Sequence, residues 1–248
     1  MNCRINKEDS YMRNFFVIMV VLLPLSVFAK DKHLYVSLKS GASYGQSTGL
    51  VNYDNFVGEG GEATLKNSDL NSSLTSGISV GVYFTNNFRG DFSLEYKNNQ
   101  KLSTTDSPTP EFDYTAGFSS VSSFLTGFYD FNTVDMFGKS ITPFVLGGIG
   151  YAINESGKIK ILEIGAPESE TVFMDNDLEE NIAWKVGAGA SVNITHNLIF
   201  DMQYEFVDLG HAQAGNFFRA GGMVGTMQIP MKFDYRTHDF NVGLRYRF

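Results

Sequence analysis

The chain has 248 residues, of which 43% are hydrophobic and 14% aromatic, and a formal net charge of −8. That sign disfavours a nucleic-acid partner, which is held by basic surface that neutralises phosphates. After residue 29 no apolar segment is long enough for a spanning helix, which needs roughly 20 residues, and Cys3 is the single cysteine, so helical spanning, disulfides and cysteine-bound zinc are all excluded for the chain beyond that point.

The first element is a secretory signal peptide over residues 1–29. Arg13 supplies the basic start, Phe15 to Phe28 the apolar run, and Val27-Phe28-Ala29 the small-residue cleavage pattern. Met12, just before the basic residue, is an alternative start. Lys30 follows Ala29, so there is no lipobox cysteine and no lipid anchor. Residues 30–248 remain as one domain.

Within that domain, period-2 alternation bounded by turn residues predicts strands at 34–43, 74–84, 88–97, 118–131, 141–153, 181–194, 198–209 and 238–248. Each meets the roughly 9–11 residues that a tilted strand needs to cross a membrane. Their connections alternate in length. Those at 85–87, 132–140 and 195–197 are short; those at 44–73, 98–117, 154–180 and 210–237 are long and rich in Gly, Ser, Thr, Asn and Asp. Tight periplasmic turns alternating with extended extracellular loops is the arrangement of a bacterial outer-membrane barrel. The fold class expected is therefore all-β: an eight-stranded antiparallel up-and-down transmembrane β-barrel with both termini periplasmic.

The faces of the strands carry the next inference. At 198–206 the residues Leu198, Phe200, Met202, Tyr204 and Phe206 alternate with Asp201, Gln203 and Glu205. At the end of the chain Phe240, Val242, Leu244, Tyr246 and Phe248 alternate with Asp239, Asn241, Gly243, Arg245 and Arg247. A soluble barrel points the aromatic face inward, a membrane barrel outward. Export and inward-compatible glycines favour the second, with Phe84, Phe88, Phe200, Tyr246 and Phe248 forming an aromatic girdle at the periplasmic interface and Tyr96 and Phe206 lying toward the other. The lumen is then lined by Lys39, Arg89, Asp91, Glu95, Lys97, Lys185, Asp201, Glu205, Arg245 and Arg247, an internal ion-pair network, since charges removed from water must be paired. In the fourth and fifth strands both faces are apolar, with Phe124 and Phe128 opposed to Leu125 and Tyr129, and Phe144 and Leu146 to Val145 and Ile149. Alternation leaves their orientation open.

The run Ile141-Thr-Pro-Phe-Val-Leu-Gly-Gly-Ile-Gly-Tyr151, with Trp184-Lys-Val-Gly-Ala-Gly-Ala190, Phe200-Asp-Met-Gln-Tyr204, Asp208-Leu-Gly210 and the terminal Gly243-Leu-Arg-Tyr-Arg-Phe248, resembles the opacity-type outer-membrane proteins. These barrels are related in architecture to the OmpA transmembrane domain and OmpX and include rickettsial-type surface antigens. The resemblance implies surface exposure and adhesion-type or immune-related binding to host-surface ligands through loops 44–73, 98–117, 154–180 and 210–237. It also implies that Phe240, Val242, Leu244, Tyr246 and Phe248 form the C-terminal signal read by the outer-membrane assembly machinery, with outer-membrane lipid as the other partner.

Two other readings stay open. The lumen is compatible with a narrow porin-like channel, although eight strands enclose only enough space for side chains. A lipid-modifying enzyme needs a positioned base. Of the mature histidines His33, His196, His211 and His238, only His211 has a carboxylate nearby in sequence, Asp208, and no serine stands at a recognisable offset. No catalytic residue, metal site or cofactor is expected. Acidic residues crowd 154–180, the pattern of a solvated face more than of a cation site. The apolar pieces Ile159 to Ile164 and Met223 to Met231 are candidates for strand extensions above the membrane.

Overall fold

The structure is a computed structural model describing residues 34–47, 50–53, 61–65, 68–107, 112–136, 138–165, 167, 171–215, 217–220, 223–226 and 232–248. Segment 1–29 with its start at Met12, Cys3, His33 and parts of the four long connections lie outside these residues. Eight long strands form the wall: β1 (Leu34–Ser47), β2 (Ser68–Tyr83), β3 (Phe88–Ser107), β4 (Phe112–Asp130), β5 (Lys139–Ser156), β6 (Asp177–Asn193), β7 (Leu198–Gln213) and β8 (Lys232–Arg247). Each pairs antiparallel with the next. The wall closes where β8 pairs with β1, from Tyr35 opposite Arg247 to Gln46 opposite Arg236. Closure gives every wall strand a neighbour on both sides, which a hydrocarbon environment demands because it cannot hydrogen-bond a free edge.

The alternation read from the sequence is the alternation of the wall. Large apolar side chains stand outward on every strand, among them Leu38, Ile78, Phe88, Leu125, Ile149, Val186, Met202 and Leu244, with Ile149 69% exposed. A soluble monomer rarely exposes an apolar patch above about 600 Å². Here the apolar surface runs round the whole circumference, the outer surface of a protein solvated by lipid.

Three tight connections lie at one rim. In 84–87 and 194–197 the same device closes the hairpin: Thr85 Oγ1 accepts from the Asn87 and Phe88 amides at 3.2 and 3.0 Å, and Thr195 Oγ1 from Asn197 and Leu198 at 3.3 and 3.0 Å. The third, 131–138, pairs Val134–Met136 back onto β5 and turns at Gly138 (φ 70°). Both ends of the barrel meet at this rim, where the Phe248 amide donates to the Leu34 carbonyl at 3.0 Å.

At the opposite rim the strands run on. β3 has 20 residues and β4 has 19, about twice what a crossing needs, so much of 98–117, expected as loop, is regular strand. The wall is extended by the short strands Ile159–Glu163, Val172–Met174, Phe217–Ala220 and Met223–Thr226. Residues 159–164 were a candidate extension, and the physical reason is burial. Phe118, Ile159, Ile161, Met174, Val207, Leu209, Ala212 and Tyr235 form an apolar core inside this projecting part. Register shifts between Ser43 and Gly45, Lys97 and Gln100, and Asp208 and His211 mark bulges where this part begins. The last contains Gly210 at φ 78°, a left-handed conformation that glycine adopts without strain.

Inward glycines set how closely strands coil. A Cβ on Gly187 would lie 2.2 Å from the Tyr204 carbonyl oxygen of β7. Gly187→Val is therefore expected to cost on the order of 1–3 kcal/mol, read as a reduced fraction of heat-modifiable, folded band on a detergent gel after refolding. An unchanged folded fraction would mean that β6 and β7 have room to separate.

Candidate functional site

The barrel interior is built in layers, each set by inward positions two residues apart. Nearest the rim of tight turns, Arg245 of β8 donates to Asp201 Oδ1 and Ser191 Oγ at 2.9 Å each and to the Tyr83 hydroxyl at 2.6 Å. Arg89 of β3 pairs with Asp130 at 3.1 Å, and its guanidinium lies 3.8 Å from the Phe128 ring centroid. Asp91 accepts from Tyr35 and Ser79 at 3.3 and 3.0 Å.

The middle layer is a square of two lysines and two glutamates. Lys39 of β1 lies 2.9 Å from Glu95 and 2.7 Å from Glu205; Lys185 of β6 lies 2.6 Å from Glu95 and 3.0 Å from Glu205. Each cation thus serves both anions, and four different strands, β1, β3, β6 and β7, are tied across the lumen. Asn241 and Ser93 donate to Glu205 and Glu95 at 2.8 and 2.9 Å. One layer up, Lys97 pairs with Asp239 in full burial. Asp239 accepts from Ser43 Oγ at 2.6 Å, and Gln100 donates to the Ser43 carbonyl at 3.1 Å. Above this lies the apolar core, while Phe124, part of the same cluster, reaches the lysine–glutamate square, 4.7 Å from the Lys185 ammonium.

What these layers leave open is small. A cavity of about 30 Å³ lies between Tyr35, Lys39, Asp91, Glu95, Lys185 and Glu205, enough to hold a water molecule.

Lys39, Arg89, Asp91, Glu95, Lys97, Lys185, Asp201, Glu205 and Arg245, read as lumen residues, come together here. Arg247 does not. It is half-buried at the rim and donates to the His196 carbonyl of the 194–197 turn at 2.9 Å, because position 247 is the last of β8 and the interior ends above it. Tyr35, Tyr83, Asp130 and Ser191 were not singled out in the sequence. Tyr35 shares the parity of Lys39 and so was findable. Asp130 ends a strand whose two faces look alike.

The open strands now have an orientation. Phe124, Phe128, Phe144 and Leu146 point inward, and Leu125, Tyr129, Val145 and Ile149 outward. The bulky inward rings fit because glycines stand opposite. A Cβ on Gly150 would come within 2.6 Å of the Phe124 ring, and one on Gly189 within 2.5 Å of the Phe144 ring.

On the outer surface Phe240, Val242, Leu244, Tyr246 and Phe248 form one exposed row along β8. Toward the projecting end, the Tyr204 hydroxyl and His238 Nδ1 are 2.7 Å apart, so His238 lies within a strand flank rather than at a strand border. His211 Nδ1 bonds Asp234 at 2.9 Å, whereas Asp208, expected beside it, pairs with Arg236 at 3.0 Å. Among the described residues, no group of three His, Cys, Asp or Glu is arranged to hold a metal ion.

The family model for the outer membrane protein beta-barrel domain matches residues 15–248. "Outer membrane protein PagN" of Salmonella typhimurium is 24% identical over 253 residues, covering 96% of this chain and all of that protein. A "Putative adhesin" of Rickettsia bellii is 25% identical over 186 residues, 71% of this chain and 75% of that protein. Among solved structures, the outer membrane protein OprG from Pseudomonas aeruginosa superposes with a TM-score of 0.50 at 11% identity, over 88% of this chain and 98% of that one, a likeness of fold.

Proposed function

The chain belongs to the outer membrane protein β-barrel domain family, and from that premise we propose that it is a surface adhesin whose barrel is a rigid mount and whose binding energy resides in its extracellular part. The observation that carries this reading is the filled interior. Crossed ion pairs below an apolar core span the lumen and line a cavity of about 30 Å³, an interior that supports a mount more than a narrow channel. The adhesin names of the rickettsial relatives point the same way, as does the amount of ordered chain that projects past the apolar belt.

The orientation belongs to the same proposal. Residues 1–29 direct export and are removed, the rim of tight turns faces the periplasm, and the row Phe240 to Phe248 is the segment that the assembly machinery engages before the barrel meets lipid. Outward, the remainder of connections 44–73, 98–117, 154–180 and 210–237 meets the host surface. Binding through these connections requires no catalytic group, and none is assigned.

The test is an exchange of the tips of those four connections for short turns, leaving the strands and the apolar core intact. Surface-displaying cells are expected to lose at least about tenfold in host-cell binding while heat-modifiable migration is kept. Protease shaving of intact cells is expected to cleave only in these connections. Undiminished binding, or cleavage at 84–87 or 194–197, would overturn the reading.

A further inference from the structure

From the layer of Arg89 and Arg245 up to that of Lys97 and Asp239, the inward charges of the wall pair off with one left over. Arg245 pairs with Asp201, Arg89 with Asp130 and Lys97 with Asp239, while Lys39 and Lys185 together balance Glu95 and Glu205. Asp91 is as deeply buried as these, at 8% exposure. Its partners are hydroxyls, Tyr35 and Ser79, and among the described residues no ammonium or guanidinium bridges it. Five cations therefore face six carboxylates. A carboxylate taken out of water is costly unless a counter-charge comes with it.

Asp91 lines the cavity between the Arg89 layer and the lysine–glutamate square, together with Tyr35, Ser79, Ser93 and Glu95. Tyr35 and Ser79 both donate to Asp91 Oδ2, at 3.3 and 3.0 Å, and Ser93 donates to Glu95 Oε1 at 2.9 Å. Three hydroxyls around the cavity thus have their protons committed to carboxylates, and what remains to them is lone pairs. Glu95 Oε2 is buried without a hydrogen bond. The ammonium groups of Lys39 and Lys185 are engaged by Glu95 Oε1 and by Glu205. Around one small space the wall therefore gathers an unbalanced carboxylate and a set of oxygen acceptors, the ligands that hard cations take.

We propose that this cavity is a site for one monovalent metal cation of the size of sodium. The Asp91 carboxylate is its charged ligand, and Glu95 Oε2 and the hydroxyl oxygens of Tyr35, Ser79 and Ser93 are its further donors. The charge shortfall sets the valence, since a divalent ion would leave the interior positive. The volume sets the size, because about 30 Å³ takes an ion with about one water and refuses a bulky organic cation. Only two of the donors are acidic, which is why no cluster of three metal-binding side chains marks the place. The bound ion completes the pairing of the lumen and so stabilises the folded barrel. This site is independent of the adhesive reading and stands or falls without it.

The experiment unfolds the full refolded chain in lipid vesicles with urea, at neutral pH and constant ionic strength, with sodium chloride exchanged for choline chloride. Raising sodium from about 1 to about 100 mM is expected to raise the folding constant about tenfold, as for a site half-filled at about 10 mM. Asp91→Asn removes the excess charge. It is expected to be at least as stable in choline as the unsubstituted chain and to show no sodium effect, while Asp135→Asn, on an exposed turn, keeps the full effect. If Asp91→Asn does not fold, Ser79→Ala carries the comparison, with a reduced sodium effect expected and an unchanged one counting against the site. A folding constant indifferent to sodium, an Asp91→Asn variant that keeps the dependence, or magnesium acting as strongly as sodium overturns the proposal. Indifference to sodium together with stability that falls as the pH is raised would identify the balancing charge as a proton on Asp91, and overturns it likewise.

Discussion

Replacing Lys185 by methionine is expected to lower the stability of the folded barrel by about 3–5 kcal/mol, the usual cost of removing one partner from a buried ion pair. Lys185 lies 2.6 Å from Glu95 and 3.0 Å from Glu205, and both carboxylates are buried. Without it Lys39 alone faces two buried anions. Denaturant titration of protein refolded into lipid vesicles measures the loss as a shift of the midpoint at constant slope. The variant carrying Lys39→Met, Lys185→Met, Glu95→Gln and Glu205→Gln together is expected to recover most of the loss, since no buried charge remains unpaired. Arg247→Ala, at the rim, is expected to stay within about 0.5 kcal/mol. If Lys185→Met were as mild as Arg247→Ala, the crossed square would not be holding the strands together.

The second large effect lies on the other side of the same wall. Val242→Arg places a guanidinium on an outward position near the middle of β8, where Val242 faces Ser40 and Met202 across its neighbours. In a bilayer the cost is about 2–4 kcal/mol at the midplane, falling to about 0–1 kcal/mol near an interface. Val242→Arg is therefore expected to be much more destabilising than Lys232→Glu at the projecting end of the same strand. In water the exchange of an exposed valine for arginine is nearly neutral, so equal and small effects at the two positions would mean that β8 does not face lipid.

How much of this was legible depends on how different the two faces of each strand are. In β7 and β8 acidic, amide and basic residues alternate with aromatic and aliphatic ones, and parity alone assigned the inward charges, overreaching only at Arg247, which lies at the rim. In β4 and β5 the pattern failed because the interior itself becomes apolar there. Phe124 and Phe144 fill space left by Gly150 and Gly189 on neighbouring strands, and such complementarity across the barrel has no signature in a single strand. Partner choice was also hidden. That Lys39 and Lys185 each bridge Glu95 and Glu205 follows from the stagger of closed strands, not from spacing along the chain. The projecting region was misjudged in 98–117 because Ser, Thr and Asn dominate it. Its strands persist because 112–115 pairs with Ile159–Glu163, a partner supplied by a different connection.

The seam between β1 and β8 constrains how the molecule comes to exist. Tyr35 pairs with Arg247, so the wall stays open until its two most distant strands meet. Contacts so distant in sequence form slowly, because loop closure must precede the energy that rewards it. During that interval the edges of β1 and β8 are both bare, and each is a template for pairing with the wrong chain. The hazard of mispairing is therefore greatest before the seam closes and ends when it does.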